Sequence, residues 1–485
     1  MRPLTIGLLL ALPASWQMWR FEPVQSELFG GGNTLVNAWA DVDADGDLDL
    51  FVGFGAGASR LYRNDAGTFV DTAQAAGLGE PRATRAAAFG DVDADGDPDL
   101  IVGYAPGDAS TLKLYRNDRG AFVDVTGDVG LATKGGAVRQ LTWVDVDADA
   151  DLDLFVGFRD RANGVFVQID GRFKDVAAAI GLADPRKTVG AVWLDVDEDD
   201  DLDLVVANMD GDANAVYRND GGRYTDVAGS LGLEWGGRAP KQTTNGTVRP
   251  CAADVDNDGH TDLFFANYGP NGLFRNRGGG RFEDVSQAWG VAIDGRYDSC
   301  AFADVDHDGD LDLYVNGTVT GGVSYRDYLF RNTGKTFEDV TPDYLQALHA
   351  DHGVQWADFD RDGDLDLALT GTRPDGMHSL LRNGLAPDLA ARSLQVRVVD
   401  GKGQARFAGA DVCVRYGAAR RLMCRVVDSG SGYNAQNDMP VHFGLPEPVR
   451  TVSVFVLPRQ GRAESVRVNA DPSEYLGKTL VVVVK

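Results

Sequence analysis

A nine-residue acidic string that recurs seven times in phase constrains this chain more than any other feature. It reads DVDADGDLD from Asp41, DVDADGDPD from Asp91, DVDADADLD from Asp145 and DVDEDDDLD from Asp195. It continues as DVDNDGHTD from Asp254, DVDHDGDLD from Asp304 and DFDRDGDLD from Asp358, with successive copies 50, 54, 50, 59, 50 and 54 residues apart. A period of that length marks an array of supersecondary units stacked on one another. Three landmarks keep step. An aromatic stands two residues before the string in six copies: Trp39, Phe89, Trp143, Trp193, Phe302 and Trp356. A segment of the type Leu-Tyr-Arg-Asn follows at Leu61, Leu114, Val216, Leu273 and Leu329, becoming LLRN at Leu380 and VFVQ at Val165. A Phe-x-Asp-Val segment then closes the unit at Phe69, Phe122, Phe173, Tyr224, Phe282 and Phe337.

Each unit therefore offers four short β-type stretches separated by Gly, Asn and Asp; in the first they are 35–40, 48–53, 60–63 and 68–72. Helical periodicity is weak. Four strands per unit, seven times over, predict an all-β fold with a seven-bladed β-propeller. The seventh unit has no Phe-x-Asp-Val segment, but RFEPVQSELFG from Arg20 matches RFEDVSQAWG from Arg281. An N-terminal strand is thus expected to complete the last blade and close the ring, which removes two free sheet edges. The repeat is lost after Pro387. The expected organisation is a signal peptide over 1–19, the propeller over 20–387 and a separate small β domain over 388–485.

Positions 1, 3, 5 and 9 of the string carry carboxylates in all seven copies. They are Asp41, Asp43, Asp45 and Asp49; Asp91, Asp93, Asp95 and Asp99; Asp145, Asp147, Asp149 and Asp153; and Asp195, Asp197, Asp199 and Asp203. The remaining sets are Asp254, Asp256, Asp258 and Asp262; Asp304, Asp306, Asp308 and Asp312; and Asp358, Asp360, Asp362 and Asp366. A tight loop turns such groups toward one centre, where a hard cation wanting six to eight oxygens fits. Four converging carboxylates without a cation would repel. Up to seven calcium ions are expected, in the hairpin between the first two strands of each unit. The loop is not an EF-hand, which needs Glu at position 12, where the first string has Val52. Glycine at position 6 permits the sharp turn, but the third loop has Ala150 there and the fourth Asp200. Weaker binding is predicted at Asp145, and the Asp195 loop is left open.

The formal net charge is −27, from 73 acidic and 46 basic residues. That excludes a general electrostatic binder of nucleic acid and argues against docking on anionic lipid. The 28 loop carboxylates account for it, since the remaining 45 acids nearly balance the 46 bases. The first residues, MRPLTIGLLLALPAS, read as a signal peptide whose apolar run is too short to span a bilayer. No other stretch is long enough, so a secreted, periplasmic or cell-surface protein is expected.

Cys413 and Cys424 fall opposite one another if Ala418 and Ala419 form a two-residue turn, which permits a cross-strand disulfide. Cys251 and Cys300 each precede an acidic string in consecutive units; they either face each other as a second disulfide or remain buried thiols. The C-terminal string DSGSGYNAQNDMPVHFGL, Asp428 to Leu445, reads as tight turns, with Asn434, Gln436, Asn437 and His442 lining a polar surface. Ser431 fails the G-x-S-x-G pattern of a hydrolase nucleophile and is read as loop. His349 and His352 flank Asp351 without an evident third ligand and are read as loop or inner strand.

These loops, with LYRN and FxDV, resemble the FG-GAP/VCBS repeats of integrin-α-type propellers. The trailing GADVCVRYG, DSGSGYNAQND and VHFGL are similar to an ASPIC/UnbV domain. The combination resembles the cartilage acidic protein family, which has many bacterial members, and the Ala- and Arg-rich composition points to one of those. The resemblance implies a secreted calcium-binding propeller with a matrix or adhesion role, here without the EGF-like module of the vertebrate proteins. The expected function is a non-enzymatic, calcium-stabilised scaffold that binds a protein or glycan, with Tyr325, Arg326 and Tyr328 as surface candidates. The alternative is an extracytoplasmic enzyme acting on polysaccharide at the propeller axis. No convergent acid/base pair outside the calcium loops supports it.

Overall fold

The acidic strings form the first corner of seven four-stranded antiparallel meanders. The computed structural model describes residues 19–485 apart from 108, 235–244, 321, 347–351, 372–377 and 460–464. The signal-peptide segment, save Trp19, and His349 lie outside the described residues. In the first unit the strands are Thr34–Ala40, Asp49–Phe54, Arg60–Asp65 and Thr68–Asp71, paired in that order. The first strand, TLVNAWA, is buried along its whole length because neighbours cover both its faces. The fourth faces solvent on alternate residues. Helices in the described residues are at most four residues long, and none is long and apolar enough to cross a membrane.

The last meander is built from Val354–Ala357, Asp366–Leu369 and Ser379–Asn383, with Phe21–Pro23 as its fourth strand. Phe21 pairs with Asn383 and Pro23 with Leu381. Pro23, which has no N–H, sits on the outer edge strand where none is required. The landmark aromatics fill the space between sheets. Trp39 is fully buried and stacks on Phe359 of the seventh unit, with ring centroids 6.4 Å apart. One apolar cluster therefore joins the first and last units. Units five and six are joined where Tyr268 pairs with Arg296, and the Cys251–Cys300 disulfide crosses the same boundary.

Residues 393–484 form two further sheets. Ser393–Val399 lies between Val441–Gly444 and Thr479–Val483; the other sheet runs Arg421–Val426, Asp411–Tyr416, Val452–Leu457, Val466–Ala470. Val396, Val412, Val414, Phe443 and Val454 share one apolar core between them. Cys413 stands opposite Cys424 in register and is bonded to it.

The segment 429–438 does not lie on a surface, contrary to the reading of Asn434, Gln436 and Asn437 above. All three are buried against the innermost strands. Those strands present an unpaired edge to the axis, and buried N–H and C=O groups need partners. The segment supplies them. Asn437 Oδ1 accepts from Trp39 N at 2.9 Å, and Gln436 accepts from Trp143 N at 2.6 Å while donating to Trp143 O at 3.0 Å. Ser429 Oγ accepts from Trp193 N at 3.2 Å and donates to Trp193 O at 2.6 Å. Ala435 pairs with Ala87 as a parallel strand. The fully buried Arg249 donates to Gln140 and, at 2.9 Å, to Asn434 Oδ1. Burial lowers its pKa to about 10. Ser431 bonds its loop neighbour Asp428, in keeping with a turn.

Candidate metal centres and the sheet face that covers them

All seven acidic loops close in one way. The carboxylate at position 5 accepts the N–H of position 7, as in Asp45 from Asp47 N at 2.8 Å. Position 1 accepts the N–H of position 6, as in Asp41 from Gly46 N at 2.9 Å. Position 9 takes one N–H on each oxygen: Asp49 accepts from Val42 N at 2.9 Å and from Asn64 N at 2.7 Å. Position 6 sits at φ 91° in Gly46 and 93° in Gly309, in the left-handed region that suits glycine. Ala150 and Asp200 adopt the same region at 77° and 72°. The turn survives without glycine, at a steric cost. Ala150→Gly is expected to raise stability by about 0.5–1 kcal/mol, after glycine's extra chain entropy is subtracted. Urea unfolding of the two proteins measures this.

The loops bring ligand atoms together. In the first, Asp41, Asp43 and Asp45 each place an oxygen within 4.8 Å of the others; in the second, third and fifth, positions 1, 3 and 9 do so. Position 9 thus keeps a lone pair for the cluster besides its two backbone bonds. Buried carboxylate oxygens without any hydrogen-bond partner include Asp41 Oδ1, Asp43 Oδ1, Asp197 Oδ1, Asp256 Oδ1, Asp304 Oδ1 and Asp360 Oδ1. An unsatisfied buried carboxylate is costly, and a bound cation is the partner that fits an all-oxygen donor set.

Burial, and after it neighbouring carboxylates, push these groups up: Asp41 to about 6, Asp358 to about 7, and Asp304 well above the carboxylate range. Burial also lifts the position-9 groups, Asp49 to about 7 and Asp153 and Asp262 to about 8, against the backbone bonds that lower them. A raised folded-state pKa contributes stability below the unfolded value, lost as pH rises through the folded one. In excess chelator the protein should therefore melt higher at pH 6.5 than at pH 8.5. The histidines His307, His378 and His442, lowered to about 4, 3 and 3 by desolvation, stay neutral across that window. Calorimetry at the two pH values checks it; equal melting temperatures would contradict it.

The asparagine of the LYRN segment does more than mark the repeat. Asn64 Nδ2 donates to Leu48 O at 3.1 Å in its own loop and to Phe359 O at 2.7 Å in the seventh. Asn117 does the same to Pro98 O and Val42 O, and Asn332 to Leu311 O and Val255 O. Gln168 in the degenerate third copy still reaches Val92 O at 3.2 Å. In the first, second, third, sixth and seventh units this side chain ties the loop to the one before it, across the first–seventh boundary included; Asn219 bonds only within its own unit, and Asn276 Nδ2 is buried without a partner. Arg361 of the seventh loop also pairs with Asp47 of the first at 3.0 Å.

The C-terminal sheets cover the loop face. Gln404 Nε2 donates to Asp91 O at 2.6 Å, Gln395 Nε2 to Asp358 Oδ2 at 2.7 Å, and Thr261 Oγ1 to Asp411 Oδ1 at 3.2 Å. His442, read above as surface, is intermediate in exposure and packs its Nε2 2.8 Å from Gly363 O. Two arginines from this layer reach position 1 of the two loops that lack glycine. Arg406 Nη1 lies 2.5 Å from Asp145 Oδ2. Arg459 Nη1 lies 3.0 Å from both Asp195 Oδ2 and Asp200 Oδ1, and its Nη2 2.8 Å from Asp411. Arg275 and Arg382 also touch acidic loops, but from the exposed rim and at positions 3 and 5, never position 1.

The repeat seen in sequence and in the hairpins has a match among known families. The FG-GAP-like repeat profile covers residues 41–102, 91–156, 145–206, 195–264, 254–315 and 319–369. The chain belongs to the FG-GAP-like repeat family. It is similar to cartilage acidic protein 1 of Mus musculus, 25% identical over 319 residues that make up 64% of this chain and 47% of the mouse protein. The Homo sapiens protein is also 25% identical, over 64% of this chain and 46% of its own length. The chain thus spans about half the length of the curated relatives it matches. Among solved structures, an Agrocybe aegerita lectin that recognises terminal N-acetylglucosamine aligns at 19% identity, covering 65% of this chain and 82% of that one, with a TM-score of 0.38.

Of the surface candidates Tyr325, Arg326 and Tyr328, Arg326 is exposed and the tyrosines half-buried; Arg326 packs over the Tyr328 ring at 4.0 Å and pairs with Asp339.

Proposed function

We propose that this chain is a secreted, non-enzymatic binding scaffold whose seven meanders close into a seven-bladed propeller held by calcium, with residues 388–485 as a second β domain seated on the loop face. Calcium occupies the five loops with glycine at position 6. In the third and fourth loops the guanidinium groups of Arg406 and Arg459 stand in for the ion at position 1. The observation that carries the reading is the set of buried, unpartnered carboxylate oxygens in the first, fourth, fifth, sixth and seventh loops. Family membership and the cartilage acidic relatives support it. The partner is a protein or glycan, as the matrix character of those relatives suggests. The loop face is covered by the C-terminal sheets, which leaves the opposite face and the rim for binding. An enzyme at the axis is disfavoured because the segment 429–438 fills the axis on the acidic-loop side, and the two acids at its open end, Asp210 and Asp298, are engaged by Arg159 and His352. Direct calcium titration by calorimetry tests the reading; no calcium heat at millimolar ion would overturn it.

A further inference from the structure

The end of the axis away from the acidic loops opens into a cavity of about 360 Å³, within the range of small-molecule sites. The innermost strands build its wall, each near its start. Arg85, Arg139 and Arg296 come from three of these strands, and Arg159 from a neighbouring loop. Two of the four guanidinium groups are committed. Arg159 pairs with Asp210 at 3.1 Å, and Arg296 donates to Thr320 Oγ1 at 3.1 Å over the Tyr268 ring. The second acid of the cavity, Asp298, lies 2.6 Å from His352.

Arg85 and Arg139 have no carboxylate partner among the described residues. The single bond of Arg139 is a long one, 3.4 Å to Tyr433 Oη, and its Nε is buried without a partner. Burial and the neighbouring Arg139 hold Arg85 below the ordinary guanidinium value. Two like charges side by side and partly desolvated are unfavourable unless an anion joins them. Beyond the four arginines the lining is aromatic, apolar and acidic. Tyr433, delivered by the axial segment, stacks on His352 with centroids 4.9 Å apart and packs with Val189, Met209 and Val248. The arginine pair thus suits a carboxylate, held in forked guanidinium geometry, and Tyr433, whose Oη lies 3.4 Å from Arg139, offers a face beside it for a carbon skeleton with hydroxyls.

We propose that this axial cavity binds a small organic carboxylate of sugar-acid size, with its carboxylate between Arg85 and Arg139 and its skeleton against Tyr433. This deepens the scaffold reading by naming a ligand class, and it rests on the closed ring rather than on calcium. The test is calorimetric titration of the full chain at saturating calcium with glucuronate, glucose and sulfate. Glucuronate is expected to bind and glucose, the neutral sugar of like size, to give no heat. Arg85→Gln and Arg139→Gln should each weaken glucuronate at least tenfold. Their melting temperatures without ligand should equal or exceed the parent's, because a like-charge contact is removed; that control keeps lost binding distinct from lost folding. No glucuronate heat, equal binding of glucose, or binding retained in the folded double variant would overturn the proposal. Sulfate binding as tightly as glucuronate would overturn the sugar-acid assignment. Failure of the calcium reading shows separately, as a melt that does not respond to chelator.

Discussion

Withdrawing calcium lowers the melting temperature by about 7 °C. An ion at ten times its dissociation constant stabilises the fold by ~1.4 kcal/mol. Five loops acting on one ring then contribute about 7 kcal/mol, comparable with the net stability of a whole domain. For a cooperative unit of this length roughly 1 kcal/mol moves the midpoint by one degree. The effect is large because most loops are linked: Asn64, Asn117, Gln168, Asn332 and Asn383 tie five of the seven loops to the preceding one, so a loop that loosens weakens its neighbour. Scanning calorimetry with and without EDTA at pH 7.5 measures it, and readdition of calcium should restore the parent melt.

Arg459→Ala has the second-largest effect. Its guanidinium serves Asp195, Asp200 and Asp411, and Asp411 and Asp195 are buried. Removing one side of a buried ion pair leaves charge without a partner, at a cost of about 3–5 kcal/mol. The melting temperature should fall by about 3–5 °C on the same scale. Raising calcium to several millimolar should recover part of that loss, because position 1 of the fourth loop is then open to an ion. A variant that melts within a degree of the parent would reduce Arg459 to an ordinary surface pair.

The repeat made the strands, the closing N-terminal segment and the acidic loops legible, because each rests on local chemistry: turn residues, alternation and carboxylate spacing. Phe21–Pro23 could be matched to its place because the other units show what the seventh lacks. The unread parts depend on where distant chain segments return. Asn434, Gln436 and Asn437 look like surface amides until the open edges of the inner strands are known to need partners. Arg406 and Arg459 are unremarkable in sequence, and only folding brings them to the two loops without glycine. The LYRN asparagine carried a signal in its fixed place at the strand end, but its role is a cross-unit bond that spacing alone does not show. Arg85 and Arg139, one unit apart, meet only at the axis.

The number of calcium ions bound per chain tests the central claim most directly. Metal analysis of the purified protein after equilibration in excess calcium and desalting, cross-checked by titration stoichiometry, should give five ions per chain, rising to six in Arg459→Ala. A chain that binds none contradicts the calcium-held ring, and one that binds seven contradicts the arginines at the third and fourth loops.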